Sequence, residues 1–219
     1  MPRLLFSKEG EAVWISHLDM MRLFQRAFKR AGLNLKHTQG FNPRPSVSIA
    51  LPMSVGVESE CELLDFDLVG EGIDADEIAS KLNRSLVSGI RVHSCYENAR
   101  RIRDIALLRC LLMLEYDNGI PENAKNMLAE LFSRTSLIVP KKGKNGVVDQ
   151  DIIPMIRNLK IDRAGECKLT IEALICCQNP ALNPMQLVVA IERYHPELNP
   201  NHATCRRLEI YDTNETIFR

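Results

Sequence analysis

Two histidines and an aspartate are the side chains in this sequence best suited to acid–base chemistry. His17 and Asp19 stand close together, and His37 follows after a basic segment. Imidazole and carboxylate groups can donate and accept protons during phosphodiester cleavage, as metal-free ribonucleases require. A structural role explains the same residues, because Ser16 and Asp19 have the spacing of a helix capping pair and His17 would lie in the first turn. Capping is the simpler interpretation, and catalysis by His17 or His37 stays an alternative.

The chain over residues 20–57 contains no acidic residue. Its six basic residues are Arg22, Arg26, Lys29, Arg30, Lys36 and Arg44. A solvated helix face usually mixes charges in i,i+4 pairs, so a run of one sign loses stability unless an anion binds to it. Nine acidic residues and no basic residue then occur over residues 58–77. The pattern predicts a phosphate-binding surface, unless the acidic stretch pairs with the basic segment or the charges form an ordinary solvated face.

Residues 39–45, which read QGFNPRP, have the composition of a shaped loop. Gly40 permits backbone conformations closed to other residues, and two prolines stiffen the chain behind it. Phe41 is suited to stacking on a base, Asn42 to hydrogen bonding, and Arg44 to a bidentate grip on phosphate or carboxylate. These side chains would suit a nucleotide or single-stranded RNA. A rigid turn that buries Phe41 in the core explains the pattern equally well.

Hydrophobic periodicity places the basic residues on a helix and on the loop behind it. The helix is predicted over residues 17–31, with Ser16 as its N-cap and Gly32 in the C′ position. Its apolar face is predicted to consist of Met20, Met21, Phe24, Ala27, Phe28 and Ala31. The helical cations fall on the opposite face. Trp14, the only tryptophan, is expected in the core.

The first half of the chain reads as βαββαβ with one extra short strand before the first helix. Its strands are predicted over residues 3–6, 12–15, 47–51, 62–69 and 90–95, and its second helix is predicted to be capped by Asp74. The second half repeats the order, with strands over 107–116, 137–139, 168–176 and 206–211 and helices over 121–133 and 184–194. We therefore expect an α+β fold of two tandem ferredoxin-like (βαββαβ) halves, residues 1–98 and 99–219, packed as one compact unit. The segment KKGKNGVVDQ is predicted to be an exposed excursion within the second half.

Composition limits the class of protein. Hydrophobic residues make up 45% and charged residues 26%, and 28 basic residues balance 28 acidic ones, which argues against indiscriminate coating of nucleic acid. No run approaches the ~20 apolar residues of a bilayer-spanning helix, and the charged start lacks the apolar core of a signal peptide. We expect a cytoplasmic protein without membrane contact. The seven cysteines include no C-x-x-C pair, so no metal, cluster or other cofactor is expected.

A set of motifs in the first half resembles a known family. The motifs are FSK at 6–8, WISHLD at 14–19, Arg22, Arg26 with Ala27, GFNPRP at 40–45, LP at 51–52 and GVES at 56–59. Over residues 1–95 the chain is similar to a radical SAM-linked family of uncharacterised bacterial proteins, a domain of unknown function. Members occur alone or fused behind a radical SAM protein with a cobalamin-binding-like region. The resemblance implies such a protein as a partner, and it implies no established activity.

A looser similarity, in element order and in a glycine-containing loop near basic residues, is to the duplicated ferredoxin-like proteins that process CRISPR repeats. Those proteins carry a glycine-rich loop near the C-terminus, whereas residues 199–207 read NPNHATCRR here. The missing loop argues against cleavage chemistry. Arg206 and Arg207 stay candidates for phosphate contact.

The leading hypothesis is a non-catalytic RNA-binding accessory module that presents RNA, either tRNA or rRNA, to a radical SAM enzyme. In this hypothesis the helical cations contact phosphates, while the loop stacks on a base and clamps it. One alternative is a metal-free endoribonuclease of the CRISPR-repeat-processing type that uses His17 or His37. The other is an adaptor that binds only protein, with its basic face against an acidic surface of the radical SAM partner.

Overall fold

The computed structural model describes residues 1–70, 74–97, 99–143 and 146–219. Its helices and antiparallel strands confirm the α+β class, and they fall into two units, Met1–Ile102 together with Arg219, and Arg103–Phe218. Asn98, where the first half was predicted to end, lies outside the described residues, as do Lys144 and Asn145 of the predicted excursion. In the described ranges, no helix combines the length and the apolar character needed to cross a membrane.

The described residues of the first unit follow the predicted order βαββαβ. The elements are β1 (Arg3–Lys8), α1 (His17–Arg30), β2 (Val47–Ile49), β3 (Val57–Phe66), α2 (Ala75–Asn83) and β4 (Ile90–Tyr96). The strands pair antiparallel in the order β4-β1-β3-β2. Each helix therefore connects two strands that are not neighbours in the sheet, and residues of both helices share one hydrophobic core with it.

The predicted apolar face of α1 is its core face. Its fully buried residues are Met20, Phe24, Ala27 and Phe28. The Phe24 ring lies edge-on to Phe6 of β1, with 4.8 Å between the ring centroids. Full burial of such a side chain contributes about 1.5–3 kcal/mol to folding. Met21 and Ala31, which were predicted on the same face, are only half-buried and lie at its margin.

A buried ion pair joins the two central strands of the first unit. Arg3 and Asp65 are opposite each other in the β1–β3 register. The Nε and Nη2 atoms of Arg3 donate to the two carboxylate oxygens of Asp65 at 2.6 and 3.0 Å. The side chains are only 2% and 14% exposed. Burial by itself lowers the pKa of Arg3, but the hydrogen bonds to Asp65, its negative charge and a smaller contribution from Tyr96 together outweigh burial and raise the pKa, so the pair stays charged.

The segment before α1 is the 3-10 helix Gly10–Trp14, and the short strand predicted there is wrong. Trp14 is 71% exposed, so the expectation of a core tryptophan is also wrong. A contact with a distant part of the chain determines this conformation, because Gly89 lies very close to the segment. A Cβ added at Gly89 would overlap the Glu9 carbonyl and lie 2.9 Å from Ala12 Cβ. The Glu9 N–H also donates to the Gly89 carbonyl at 2.8 Å. The segment thus packs against the turn before β4 and does not join the sheet.

Substituting Gly89 with alanine tests this packing. Gly89 has a φ of +83°, in the left-handed region, and its Cβ would overlap a backbone oxygen. We expect the free energy of unfolding to fall by about 2 kcal/mol, measured by urea denaturation followed by circular dichroism. Gly10→Ala is the control, because Gly10 has a φ of +55° but, apart from its chain neighbours, no described residue within 4 Å of the new Cβ. The control should cost about 1 kcal/mol, and equal losses in the two variants would contradict the packing argument.

The second unit has the same kind of sheet with an added hairpin. Its described elements are β5 (Leu107–Glu115), α3 (Ala124–Phe132), β6 (Ile138–Gly143), β7 (Gly146–Asp151), β8 (Ile156–Arg163), β9 (Lys168–Cys176), α4 (Gln186–Tyr194) and β10 (His202–Tyr211). The sheet is antiparallel in the order β10-β5-β9-β8, while β6 pairs only with β7. Apart from the hairpin, the strand order repeats that of the first unit.

Sequence analysis did not predict β8 and placed the corresponding strand at residues 137–139, which contribute to the hairpin instead. β8 reads IRNLKIDR, and Ile161 is its only buried residue. Such a charged edge strand shows little of the hydrophobic alternation from which strands are predicted. The predicted excursion coincides with the hairpin, in which Val147 and Val148 are exposed.

The seven cysteines all lie in the described part of the chain, and none is in a disulfide. Five are buried: Cys61, Cys95, Cys110, Cys176 and Cys205. Burial raises the pKa of the Cys95 thiol to about 11, so this thiol stays protonated at neutral pH. Within the same described ranges, no three His, Cys, Asp or Glu side chains are grouped closely enough to hold a metal ion.

Candidate nucleic-acid interface

Local signals at both ends of α1 determine where the basic helix begins and ends. The Ser16 hydroxyl accepts the backbone N–H of Asp19 at 3.2 Å and donates to the Asp19 carboxylate at 2.8 Å. At the other end of the helix, the N–H of Gly32 donates to the Lys29 carbonyl, and the N–H of Leu33 donates to the Phe28 carbonyl. These two bonds form a Schellman motif, in which glycine is favoured at C′, and Gly32 has a φ of +71°. The predicted caps at Ser16 and Gly32 are both confirmed.

Asp19 is engaged in this cap and in an ion pair. The Nη1 atom of Arg22 donates to its carboxylate at 2.9 Å. The hydrogen bond from Ser16, followed by the one from Arg22, lowers the pKa of Asp19 below its usual value. The carboxylate therefore stays ionised at the start of the helix, and it partly neutralises Arg22.

His17 and His37 lie at opposite ends of α1. The helix has 14 residues and is therefore about 20 Å long. His37 lies beyond its C-terminal end, where it forms a β-bridge with Pro45, and its side chain is exposed. The His17 side chain is half-buried, and its Nδ1 atom makes no hydrogen bond to the residues that the structure describes. A general acid and a general base must both reach the same reacting group, so these histidines cannot act as a pair within one chain.

The four basic residues of α1 are all exposed, but their partners differ. The Nη2 atom of Arg30 donates to the carbonyl oxygen of Ser85, beyond the end of α2, at 2.6 Å. Arg22 is held in the ion pair described above. Arg26 and Lys29 make no hydrogen bond or ion pair through their side chains within the part of the chain that the structure describes. Only these two helical cations are therefore fully available to a ligand.

The acidic stretch over residues 58–77 does not neutralise the basic segment. Its Asp65 pairs with Arg3, and its Glu77 pairs with Lys81 of α2. The Asp67 carboxylate accepts a hydrogen bond from the Ser46 hydroxyl at 3.1 Å. Among the described residues of the stretch, which leave out Glu71, none forms an ion pair with the six basic residues over 20–57. Apart from Arg22, which pairs with Asp19, these basic residues leave their charge to solvent or to a ligand.

Hydrogen bonds fix both ends of the loop over residues 39–45. The Lys36 N–H donates to the carbonyl of Asp67, just after β3, and the Ser46 N–H donates to the Lys36 carbonyl, both at 2.8 Å. Nearer the tip, the Thr38 N–H donates to the Arg44 carbonyl at 2.8 Å, and the Arg44 N–H donates to the Thr38 hydroxyl at 3.0 Å. These bonds close the loop on itself and tie it to the end of β3.

The tip of the loop presents its side chains to solvent. Phe41 is fully exposed at 103%, so the alternative that buried it in the core is wrong. Gly40 has a φ of +146°, which other residues rarely adopt, and open space where its Cβ would be. The exposed side chains of Asn42, Arg44 and Lys36 make no hydrogen bond or ion pair in the described ranges. The loop thus offers an aromatic ring, an amide and one cation, and Lys36 at its base adds a second cation.

The available cations follow one another from the helix into the loop. Lys29 lies in the last turn of α1, and the chain then pairs beside the end of β3 through a Leu35–Leu68 bridge. Lys36 follows at the base of the loop. Of the six basic residues over 20–57, those that make no side-chain hydrogen bond or ion pair in the described ranges are Arg26, Lys29, Lys36 and Arg44. These four residues are termed the basic row.

Sequence analysis missed an apolar surface at the other end of α1. Trp14, Leu18 and Val55 are 71%, 67% and 52% exposed, and they are termed the apolar patch. The Trp14 ring lies against Gly56, where a Cβ would be 3.7 Å from it. One signal in the sequence pointed to this patch, because Leu18 stands one turn before Arg22 and so falls on the basic side of the helical wheel.

Comparison with protein families places the chain in one of them. The family described as an uncharacterised protein conserved in bacteria (DUF2344) matches residues 2–184. The chain belongs to this family. The match covers the first unit, including α1 and the loop, and continues through the second unit to the residues just before α4. No curated protein matches the chain.

Comparison with solved structures bears on the fold alone. A chain in a crystal structure of a Cbf5–Nop10–Gar1 complex is similar over 95% of this chain, at 7% identity and a TM-score of 0.50. The match covers 48% of that chain, so this protein spans about half its length. A crystal structure of an unknown protein from Galdieria sulphuraria aligns over 94% of this chain and 96% of its own, at 12% identity, with a TM-score of 0.27. That score is too low to establish a shared fold.

Proposed function

We propose that the protein is a non-catalytic RNA-binding module that presents RNA, such as tRNA or rRNA, to a radical SAM enzyme. The observation that carries this proposal is the basic row followed by the fully exposed Phe41. Cations in excess attract the phosphate backbone, and an exposed aromatic ring stacks on unpaired bases. A surface with both properties fits a nucleic acid better than it fits a small anion.

The side chains of this surface have separate roles in the proposal. Arg26, Lys29 and Lys36 contact phosphates, while Phe41 stacks on a base. Asn42 and Arg44 beside it hydrogen-bond to that base or clamp the adjacent phosphate. Arg22 and Arg30 contribute less than the other helical cations, because the Asp19 carboxylate and the Ser85 carbonyl already engage them.

The positions and partners of the candidate acid–base groups support a protein without catalytic activity of its own. Asp19 holds the N-terminus of α1 and pairs with Arg22, with a lowered pKa that makes it a poor base. His17 and His37 lie at the two ends of a helix about 20 Å long. The arrangement binds a phosphodiester without the paired groups that would cleave it.

We also propose that each unit is a ferredoxin-like half. The sheet orders β4-β1-β3-β2 and β10-β5-β9-β8, each with two crossover helices, support this interpretation. In such a half the helices lie on one face of the sheet. The basic row then lies on the outer side of α1 and on the loop behind it.

The radical SAM partner, with its cobalamin-binding-like region, is proposed on the family resemblance over residues 1–95. Co-purification of the full chain with such a protein tests this part. If Arg26→Glu abolishes co-purification and leaves RNA affinity unchanged, the basic face binds protein and the adaptor hypothesis replaces the proposal.

RNA binding is tested by titrating the full chain with labelled total cellular RNA at low salt and at increasing salt. We expect the logarithm of the association constant to fall with the logarithm of the salt concentration, at a slope of about −3. This slope is the sum of about −0.7 for each of the four cations of the basic row on a single strand. Retention on a filter measures the affinity. Absence of binding at low salt would overturn the proposed function.

A further inference from the structure

We propose that the apolar patch at the start of α1 is a second base-stacking site, so that the protein binds a single-stranded RNA segment running along α1 from Trp14 to Phe41. This inference rests on the proposed function and specifies its substrate class. It assigns a role to Trp14 and Leu18 that the basic row and the loop leave open.

The exposure of Trp14 is the first observation. Tryptophan is usually covered by other groups, because its large ring is costly to hydrate. Here the ring is 71% exposed, and Leu18, four residues later in the first turn of α1, is 67% exposed. Exposed aromatic and apolar side chains grouped in this way mark interaction sites.

The backbone that carries Trp14 is held rigidly. The Gly56 N–H donates to the Val13 carbonyl at 2.9 Å, and the Ile15 N–H donates to the Ala12 carbonyl at 3.0 Å. The ammonium group of Lys8 donates to the Ile15 carbonyl at 2.9 Å. The backbone on both sides of Trp14 is therefore fixed, and it has little conformational entropy to lose on binding.

Leu18 of the apolar patch lies on the same side of α1 as three of the helical cations. Leu18, Arg22, Arg26 and Lys29 follow at spacings of four, four and three residues, which place them along a single stripe. The stripe begins with an apolar residue and continues with cations to the last turn. An RNA strand lying along it would meet the apolar residue first and its phosphates would then follow the cations.

The two aromatic rings mark the two ends of β3. Trp14 lies against Gly56, just before β3 begins. The loop of Phe41 is tied to Asp67, just after β3 ends. A ten-residue strand is about 30 Å long, so the two stacking sites are separated by several nucleotides. This separation suits an extended strand rather than one mononucleotide.

Charge distinguishes the two ends. Two carboxylates, Glu11 on the 3-10 helix and Asp19 on α1, are exposed near Trp14 in the chain, and Asp19 is paired with Arg22. The loop end carries the exposed cations Lys36 and Arg44, and the nearby Asp67 carboxylate is half-buried and accepts a hydrogen bond from the Ser46 hydroxyl. Trp14 is therefore suited to stacking on a base, while phosphate contact concentrates towards Lys29 and the loop. Both rings need bases with free faces, which a duplex does not offer, so the ligand class is single-stranded RNA.

Fluorescence provides a direct test, because Trp14 is the only tryptophan of the chain. The full protein is titrated with single-stranded oligoribonucleotides of about 4 to 16 nucleotides and with a duplex of matching length. We expect quenching of Trp14 fluorescence that appears only above a minimum length, and no quenching by the duplex. Quenching by the shortest oligonucleotides at full affinity would contradict a site that spans both rings.

Affinity measurements on variants give an independent readout. Trp14→Leu and Phe41→Ala should each weaken binding of a long single strand about tenfold, the loss expected for one base-stacking contact. Val148→Ala, which removes exposed apolar surface from the second unit, should change nothing. Because Trp14 is mostly exposed, the Trp14→Leu variant should keep the circular dichroism spectrum of the unchanged protein.

The outcomes separate the inference from the proposed function. If RNA binds but Trp14 fluorescence is unchanged and Trp14→Leu binds normally, the second stacking site is wrong and RNA binding by the basic row stands. If Trp14→Leu instead loses a co-purifying protein at unchanged RNA affinity, the apolar patch is a protein-docking surface and the inference is also wrong. If no RNA binds to the unchanged protein, the proposed function itself fails.

Discussion

The double variant Arg26→Glu, Lys29→Glu is expected to bind single-stranded RNA on the order of a hundredfold more weakly than the unchanged protein. Both side chains are exposed and make no ion pair in the described ranges, so their replacement would remove two of the proposed phosphate contacts and add repulsion. Each lost contact costs about fivefold near 0.1 M salt, since the salt slope is about −0.7 per contact. Filter binding at several salt concentrations should also show a slope less steep by about 1.4.

A matched control separates local contacts from net charge. Arg91 and Arg157 are exposed arginines on β4 and β8. The double variant Arg91→Glu, Arg157→Glu changes the net charge by the same amount as the test variant. We expect it to keep most of its RNA affinity. Equal losses in the two double variants would show that α1 is not the binding surface.

Removing the carboxylate of Asp65 is expected to lower the free energy of unfolding by about 3–5 kcal/mol. In Asp65→Ala, the guanidinium of Arg3 loses a bidentate partner at 2.6 and 3.0 Å while its side chain is only 2% exposed. A buried charge without its counter-charge is far more costly than the pair was favourable. The midpoint of urea denaturation, followed by circular dichroism, measures the loss.

The exposed pair between Glu77 and Lys81 provides the comparison. Its side chains are 52% and 39% exposed and lie 2.7 Å apart on α2. Glu77→Ala should cost less than about 1 kcal/mol, because solvent screens such a pair. If both variants lost the same small amount of unfolding free energy, burial would not strengthen the Arg3–Asp65 pair.

Elements with local signals could be predicted from the sequence. The start of α1 depends on Ser16 and Asp19, three residues apart, and its end on Gly32, so each boundary is encoded within one turn. The same holds for α2, where the Asp74 side chain accepts the N–H groups of Asp76 and Glu77. The positions of the cations and of the loop followed from these boundaries.

Features decided by distant contacts could not be predicted in this way. The segment that contains Trp14 has the apolar and β-branched composition of a strand, and its 3-10 conformation depends on the close approach of Gly89. β8 is an edge strand whose charged sequence has only Ile161 buried, so it lacked the pattern that identified the central strands. Periodicity carries no information about which distant backbone approaches a segment.

The candidate site shows the same division. The sequence identified all six basic residues of the segment over 20–57, but it gave no sign that Arg30 reaches the Ser85 carbonyl, which belongs to another helix end. It also left the position of Phe41 open between core and surface, and only the folded structure places the ring in solvent. Availability to a ligand is a tertiary property, while charge and spacing are local ones.

The backbone hydrogen bonds at the base of the loop over residues 39–45 allow the residues at its tip to change between related sequences. Lys36, Thr38 and Ser46 hold the loop mainly through backbone N–H and carbonyl groups, which nearly every amino acid provides. Mutations at Phe41 or Asn42 can therefore change the side chains that the tip exposes without moving the tip or lowering the stability of the fold. The chemistry of this surface can thus change one residue at a time, on a scaffold that does not need to change with it.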